Sequence, residues 1–123
     1  GEGAATTGQY TSASKKAIKY LEEAKRAYEL KKDELAEKAF LKALGEDKNF
    51  IEAALGLANL YQVTNRHEGA ITYYKKAIEI NPKFYSNAFY FMSQSQLSLG
   101  LYTEAKKSLE TFLKFQRINP NTT

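Results

Sequence analysis

The feature that most constrains this chain is a helical pattern that recurs with a period of about 34 residues. The positions that recur at offsets of 34 and 35 are a small residue and, four residues later, a large apolar one: Ala36, Ala70 and Ala105, then Phe40, Tyr74 and Leu109. A fixed period of this length is typical of stacked supersecondary units, because one such unit cannot bury its own apolar face. The sequence therefore predicts three units in phase, at about 17–50, 51–84 and 86–119, with a one-residue insertion at Tyr85.

Each unit contains two segments with apolar residues at steps of three and four, which is the pattern of an amphipathic helix. Short polar breaks and the two prolines, Pro82 and Pro120, separate these segments. We expect Asp33 and Thr103 to be helix N-caps, and Gly45 and Gly100 to take the left-handed conformation just past a helix end. The predicted architecture is all-α, with no sheet and six helices at about 15–30, 33–45, 49–63, 67–80, 84–99 and 103–117.

The two ends of the chain differ from the repeats in composition. Eleven of the residues in the segment 1–14 are Gly, Ala, Ser or Thr, and its one charged residue is Glu2. Such a segment buries too little apolar surface to offset its ordering entropy. We therefore predict a flexible linker or tail at 1–14, a folded domain at 15–119, and a short tail at 120–123.

Composition excludes several classes of function. The chain has no cysteine and a single histidine, His67, so neither a disulfide framework nor a Cys or His metal cluster is expected. No serine lies in a nucleophile elbow and no glycines form a phosphate-binding loop. No apolar run approaches the length of about 20 residues that spans a bilayer. We expect a non-enzymatic module without cofactor or metal and without direct membrane insertion, in which His67 is a packed or half-exposed structural residue.

The repeated unit resembles the tetratricopeptide repeat (TPR), a helical hairpin of 34 residues that stacks into a right-handed superhelix. The middle unit carries the resemblance best, through Leu57, Tyr61, Ala70, Tyr74, Ala77 and Pro82. The first unit departs from the family pattern at Glu23 and Lys48, and the third departs at Gln96 and Phe112. The resemblance implies a protein–protein interaction module whose partner is a protein or peptide.

In this family the first helix of each repeat lines a concave groove. The inward positions that the resemblance implies here are Leu21, Lys25, Tyr28, Leu55, Asn59, Gln62, Tyr90, Gln94 and Leu97. Apolar anchors mixed with amides suit an extended peptide or loop. They suit nucleic acid poorly, because phosphate binding needs clustered Lys and Arg and only Lys25 is offered.

A second indication of a groove comes from the twenty residues at 84–103, which contain no charge. Burial between hairpins explains their apolar half, but it does not explain why the polar positions are Ser, Asn and Gln rather than Lys and Glu. TPR domains of co-chaperones instead hold an acidic C-terminus with a carboxylate clamp of Lys, Asn and Arg. Asn59 fits one clamp position, whereas Leu21 and Phe91 replace the Lys and Arg, so a cytosolic co-chaperone-type adaptor is a less favoured alternative.

The last predicted helix carries an apolar face at Leu109, Phe112, Leu113 and Phe115. TPR stacks normally end in a polar capping helix, and exposing such side chains forfeits about 1.5–3 kcal/mol each. We therefore expect this terminal packing face to be covered by a downstream segment or by a second copy in a homodimer. A structural spacer that acts through end-to-end packing of this face is the alternative to a groove-binding function.

In the general character of its sequence, the chain also resembles the TPR segments of multidomain bacterial envelope proteins, especially Bacteroidetes-type outer-membrane lipoproteins. The residues that carry this resemblance are the linker at 1–14, the opening at 17–44 and the segment at 81–100. It implies a scaffold part of a larger protein in the periplasm or at the outer membrane; without it, a cytoplasmic location would be expected.

Overall fold

The computed structural model describes residues 10–118 of the chain. Within that range the protein consists of six α-helices and no β-strand. The helices are α1 (Lys15–Glu29), α2 (Asp33–Glu46), α3 (Ile51–Val63), α4 (His67–Ile80), α5 (Asn87–Ser98) and α6 (Tyr102–Ile118). Their number and order match the sequence-based prediction, and their ends lie within three residues of the predicted ones. The two predicted N-caps are wrong, because Lys32 is the N-cap of α2 and Thr103 lies within α6.

The helices pair as three successive hairpins, α1–α2, α3–α4 and α5–α6. Contacts between hairpins run from α2 to α3 and from α4 to α5, and α1 also contacts α3. Small residues make this approach possible: a Cβ added at Gly56 of α3 would lie 2.4 Å from Cε1 of Phe40 on α2. The result is the all-α stack of helical hairpins that the sequence pattern predicts, in which each unit buries its apolar face against the next.

The turn inside each hairpin has the same geometry in all three repeats. Lys31, Asn65 and Gly100 take positive φ angles of 60°, 64° and 77°. Each is followed by a residue whose N–H donates back to a carbonyl five residues earlier, at 2.9 Å, 2.7 Å and 2.8 Å. This Schellman arrangement satisfies carbonyls that a helix end leaves without partners.

The left-handed positions were only partly predicted. Gly100 adopts the left-handed conformation as expected, but Gly45 lies inside α2, which continues to Glu46. At the two other turns the left-handed residues are Lys31 and Asn65. The repeat phase, rather than the presence of glycine, decides where the backbone reverses.

The buried side chains form two clusters. The first joins the first two hairpins and centres on Leu21, Phe40, Phe50 and Leu57, with many alanines between them. The second joins the last two hairpins and contains Ala70, Ile71, Tyr74, Phe89 and Met92. Leu55, Tyr61 and Tyr73 are half-buried side chains that pack against both clusters.

The segment before α1 is more ordered than its composition predicts. Residues 10–14 pack against the first two hairpins: Ser12 is buried, and the Ser14 hydroxyl caps α1 by accepting a hydrogen bond of 3.0 Å from the Ala17 N–H. The flexible segment predicted for 1–14 therefore does not extend over residues 10–14, because their hydroxyls find helix-end donors and Tyr10 finds an apolar surface. Residues 1–9 and 119–123, including the predicted tail at 120–123, lie outside the described range.

Candidate functional site

The first helices of the three hairpins, α1, α3 and α5, lie side by side and present the predicted groove positions. Side-chain hydrogen bonds join these helices across the hairpins. Asn59 Nδ2 of α3 donates to the Tyr28 hydroxyl of α1 at 3.0 Å, and Gln62 Nε2 of α3 donates to the Phe91 carbonyl of α5 at 2.6 Å. We call the surface formed by the predicted groove positions on these three helices the inner face.

The part of the inner face on α1 is already engaged by the chain itself. Leu21 is only 2% exposed and belongs to the first core cluster, so it is not available to a ligand as predicted. The ammonium of Lys25 lies 5.7 Å from the centre of the Tyr10 ring, a cation–π contact. Tyr28 is half-buried and accepts the bond from Asn59.

Residues 10–12 form a strap across α1 and the beginning of α3. The Tyr10 hydroxyl reaches Glu22 at 3.5 Å, and the Thr11 N–H donates to Glu52 at 3.0 Å. The Thr11 hydroxyl also donates to Glu52 and accepts a bond of 3.2 Å from the Ile51 N–H, which caps α3. This strap was not predicted from the sequence, where its one signal is an aromatic residue followed by hydroxyl residues in a segment of mostly small side chains.

Gln62 is a structural residue rather than a free groove position. Its carbonyl oxygen accepts a bond of 3.1 Å from the Tyr74 hydroxyl, and its amide nitrogen also donates to Ser95 Oγ at 2.8 Å. Ser95 is buried and lies 2.8 Å from Nδ1 of His67. Burial raises the pKa of the Tyr74 hydroxyl far above its ordinary value, which keeps it a neutral donor to Gln62. This network joins α3, α4 and α5, and it gives His67 a structural partner.

The remaining groove positions form an open, uncharged surface on α3 and α5. Asn59, Tyr90, Gln94 and Leu97 are exposed and Leu55 is half-buried. The Tyr90 ring is held by two other rings, Phe91 at 5.5 Å and Phe112 at 5.6 Å. The surface thus combines fixed aromatic and aliphatic groups with amide donors and acceptors that face solvent.

The predicted terminal packing face divides into two parts. Phe115 stacks on Phe89 at 5.4 Å and Phe112 packs against Tyr90, so these two side chains point toward α5 within their own hairpin. Leu109 is half-buried and Leu113 is 56% exposed. Of the four predicted residues, Leu113 is therefore the most open to a further partner.

A cleft lies at the turn between α3 and α4, and Tyr61, Arg66 and His67 are among its lining residues. The Arg66 guanidinium lies over the Tyr61 ring at 4.5 Å and forms an ion pair of 3.1 Å with Glu37. Burial, and then the bond of 2.6 Å that its hydroxyl donates to Glu37, raises the pKa of Tyr61 to about 12. The same bond holds the pKa of Glu37 below its ordinary value. These groups satisfy one another and link the first two hairpins.

Within residues 10–118, no cluster of His, Asp or Glu side chains has the geometry of a metal site. None of the helices in that range is both long enough and apolar enough to cross a membrane.

Comparisons with known proteins give the family of the repeated hairpins and several solved structures with a similar fold. Sequence models of the tetratricopeptide repeat match residues 51–84 and 86–119. A comparison with curated protein sequences found no match. Among solved structures, the chain is similar to the TPR2B domain of yeast Sti1 in a complex with a pHsp70 partner, with a TM-score of 0.80 and 21% identity over 89% of this chain and 87% of that one.

The chain is also similar to the second TPR of Spaghetti (RPAP3) bound to the HSP90 peptide SRMEEVD, with a TM-score of 0.75 and 23% identity over 82% of this chain and 93% of that one. A third similar structure is MamA, with a TM-score of 0.78 and 24% identity over 82% of this chain. The chain spans 58% of the MamA chain. At these identities the structures show a shared fold, and the two matched repeats show the family: the chain belongs to the tetratricopeptide repeat family.

Proposed function

We propose that this chain is a non-catalytic interaction domain that binds an extended, uncharged protein segment along α3 and α5. Tetratricopeptide repeats are protein-interaction modules, and the observation that carries the finer proposal is the open surface at Asn59, Tyr90, Gln94 and Leu97. Exposed amides can hydrogen-bond a peptide backbone, while Tyr90 and Leu97 offer apolar contact to its side chains.

The absence of charge on this surface favours a neutral segment over an acidic one. At the two clamp positions where co-chaperone TPR domains have Lys and Arg, this chain has Leu21, which is buried, and Phe91, which is half-buried and stacks on Tyr85 at 6.5 Å. Neither side chain can pair with a carboxylate. We expect the peptide SRMEEVD, which the RPAP3 domain binds, to show no saturable binding to this chain by calorimetry or NMR titration.

The groove proposal is tested by selecting ligands for the full chain from a displayed library of random peptides. We expect the selected peptides to lose binding to the double variant Gln94→Lys/Leu97→Lys, which places two charges on the inner face. The matched control is Leu35→Lys/Leu41→Lys, which adds the same charge at exposed apolar positions of α2. Equal binding to both variants, with unchanged circular dichroism, would remove the inner face from the function.

A second candidate, a spacer that acts by end-to-end packing, is favoured by one comparison between repeats. Leu44 and Leu113 occupy equivalent positions of α2 and α6, two repeats apart. Leu44 lies beneath the next hairpin and is 9% exposed, whereas Leu113 is 56% exposed. Sedimentation of the wild type and of Leu113→Lys distinguishes the candidates: a dimer that the substitution dissociates supports the spacer, and a monomer at all concentrations supports the groove.

We also propose that the domain acts as a scaffold part of a larger bacterial envelope protein. What supports this is the resemblance in sequence character described above, carried by the small-residue segment at 1–14 and by the segment at 81–100. An antibody raised against the domain would measure the mass and cell fraction of the native protein. A product much larger than 13.9 kDa in the envelope fraction is expected, and a cytosolic product near that mass would contradict the proposal.

A further inference from the structure

The two loops that join successive hairpins have the same local geometry. Asp47 and Asn81 each end a helix in extended backbone, and the side chain of each accepts a bond of 3.0 Å from the N–H two residues later. Three residues after each comes a phenylalanine, Phe50 or Phe84, whose N–H donates to the Asp47 or Asn81 carbonyl. Phe50 and Phe84 are therefore equivalent residues of the two loops.

The surroundings of these two phenylalanines differ sharply. Phe50 is 0% exposed, and the Tyr10 ring meets it edge-on with the ring centres 6.0 Å apart. Phe84 is 42% exposed. The same contrast holds on the first helices, where Leu21 is buried while Leu55, at the equivalent position, is only half-buried. At the first loop the strap of residues 10–12 covers Phe50. At the second loop Phe84 and Leu55 remain uncovered.

A surface cleft that is open to solvent, and too shallow to enclose a water molecule, marks the uncovered place. Leu55, Ile78, Phe84, Tyr85 and Ala88 are among its lining residues. It lies between α3, the second loop and α5, as the strap lies between α1, the first loop and α3. The cleft is thus at the end of the open surface to which we assign peptide binding.

At the second place, the counterparts of three charged residues that contact the strap are uncharged. Offsets of 34 and 35 relate three strap-contacting residues to their counterparts: Glu22 to Gly56, Lys25 to Asn59, and Glu52 to Asn87. Asn59 and Asn87 are both exposed. An amide at the position of Glu52 can accept from a hydroxyl or a backbone N–H without selecting for charge.

We propose that the cleft at Phe84 is the unfilled counterpart of the strap site and binds an extended, uncharged partner segment in which an aromatic residue is followed by Ser or Thr. The aromatic ring packs against Phe84 and Leu55, as Tyr10 packs at the first loop. The hydroxyl residue that follows bonds to Asn87, as Thr11 bonds to Glu52. This inference rests on the proposed groove function and names the chemistry of the ligand at one end of that groove.

The test uses the full chain and a synthetic peptide with the sequence of residues 8–14, GQYTSAS, acetylated and amidated to remove its terminal charges. A second peptide with alanine in place of its tyrosine is the ligand control. NMR titration of the labelled chain should give saturable shifts at Leu55, Phe84 and Asn87 with the first peptide and none with the second. The substitution Phe84→Ala should weaken binding at least tenfold. The matched control Leu35→Ala, at an exposed leucine of α2, should change it less than twofold.

Three outcomes would overturn the inference: no saturable shifts, shifts confined to the strap site around Glu52, or equal binding by Phe84→Ala and the wild type. The groove proposal fails by a different result. If library-selected peptides lose binding to Gln94→Lys/Leu97→Lys but bind Phe84→Ala normally, the groove function stands and the assignment of this cleft is wrong.

Discussion

The three hairpin turns predict that one substitution will make the protein more stable. Lys31 takes a φ of 60° at the position where the third repeat has Gly100 at 77°. A side chain with a Cβ costs about 1–2 kcal/mol in this left-handed region. Glycine avoids that cost but raises the entropy of the unfolded chain, which offsets about 0.4–1 kcal/mol. We therefore expect Lys31→Gly to raise the free energy of unfolding by about 0.5–1 kcal/mol, as measured by urea denaturation followed by circular dichroism.

Two companion variants test the reason for this gain. Lys32→Gly changes the neighbouring residue, whose φ is −94°, and should bring no comparable gain because no strain is relieved there. Gly100→Ala introduces a Cβ at a left-handed position with no atom within 4 Å, so its destabilisation by about 1 kcal/mol would report backbone strain alone. A loss of stability in Lys31→Gly, or a gain in Gly100→Ala, would refute the assignment of strain to these turns.

Three further results are expected from the contacts described above. Gly56→Ala should lower the free energy of unfolding by about 1–3 kcal/mol, because the new Cβ overlaps the Phe40 ring. Adding Phe40→Leu to the same chain should restore part of the lost stability. Full stability of the single variant Gly56→Ala would contradict the packing of these two residues. The phenol of Tyr61 should titrate near pH 12 by NMR, and Glu37→Gln should lower that pKa. Because the pKa of Tyr61 in the folded protein lies above the ordinary value of 10, the neutral phenol contributes its full stabilisation below pH 10. That stabilisation is lost as the pH rises from about 10 to 12. Leu113→Lys should leave the unfolding free energy of the monomer within about 0.5 kcal/mol, and a larger loss would show that α6 is covered within the chain.

Much of the fold could be predicted because helical periodicity and the repeat spacing are local properties of the sequence. The bounds of α4 are those predicted, and the two turns at Lys31 and Asn65 lie in phase with Gly100. Gly45 misled the prediction because a glycine near a helix end does not require a left-handed backbone. The helix continues to Glu46, and the reversal that follows is made in extended backbone at Asp47.

The candidate site was harder to predict because its availability depends on contacts between repeats. Gln62 matches an inward position of the family, but its amide is used by Tyr74, Ser95 and the α5 backbone. Leu21 also matches an inward position, yet it is buried in the first core cluster. A periodic pattern predicts the face of a helix on which a residue lies, but it does not predict which other residues of the chain contact that face.

Because the core consists of two clusters with different support, we expect the two ends of the domain to differ in local stability. The cluster that joins the first two hairpins is reinforced by the strap and by the ion pair between Glu37 and Arg66. Within the described range the first and last hairpins each have one neighbouring hairpin, but the last hairpin takes part in neither of these reinforcing contacts. In a linear stack such a terminal unit opens first, and its amides should exchange with solvent faster than those of α3. Tyr90, Gln94 and Leu97 all lie on α5. A bound segment should therefore slow amide exchange in the last hairpin and raise its local stability. The amide exchange of the first hairpin should change little.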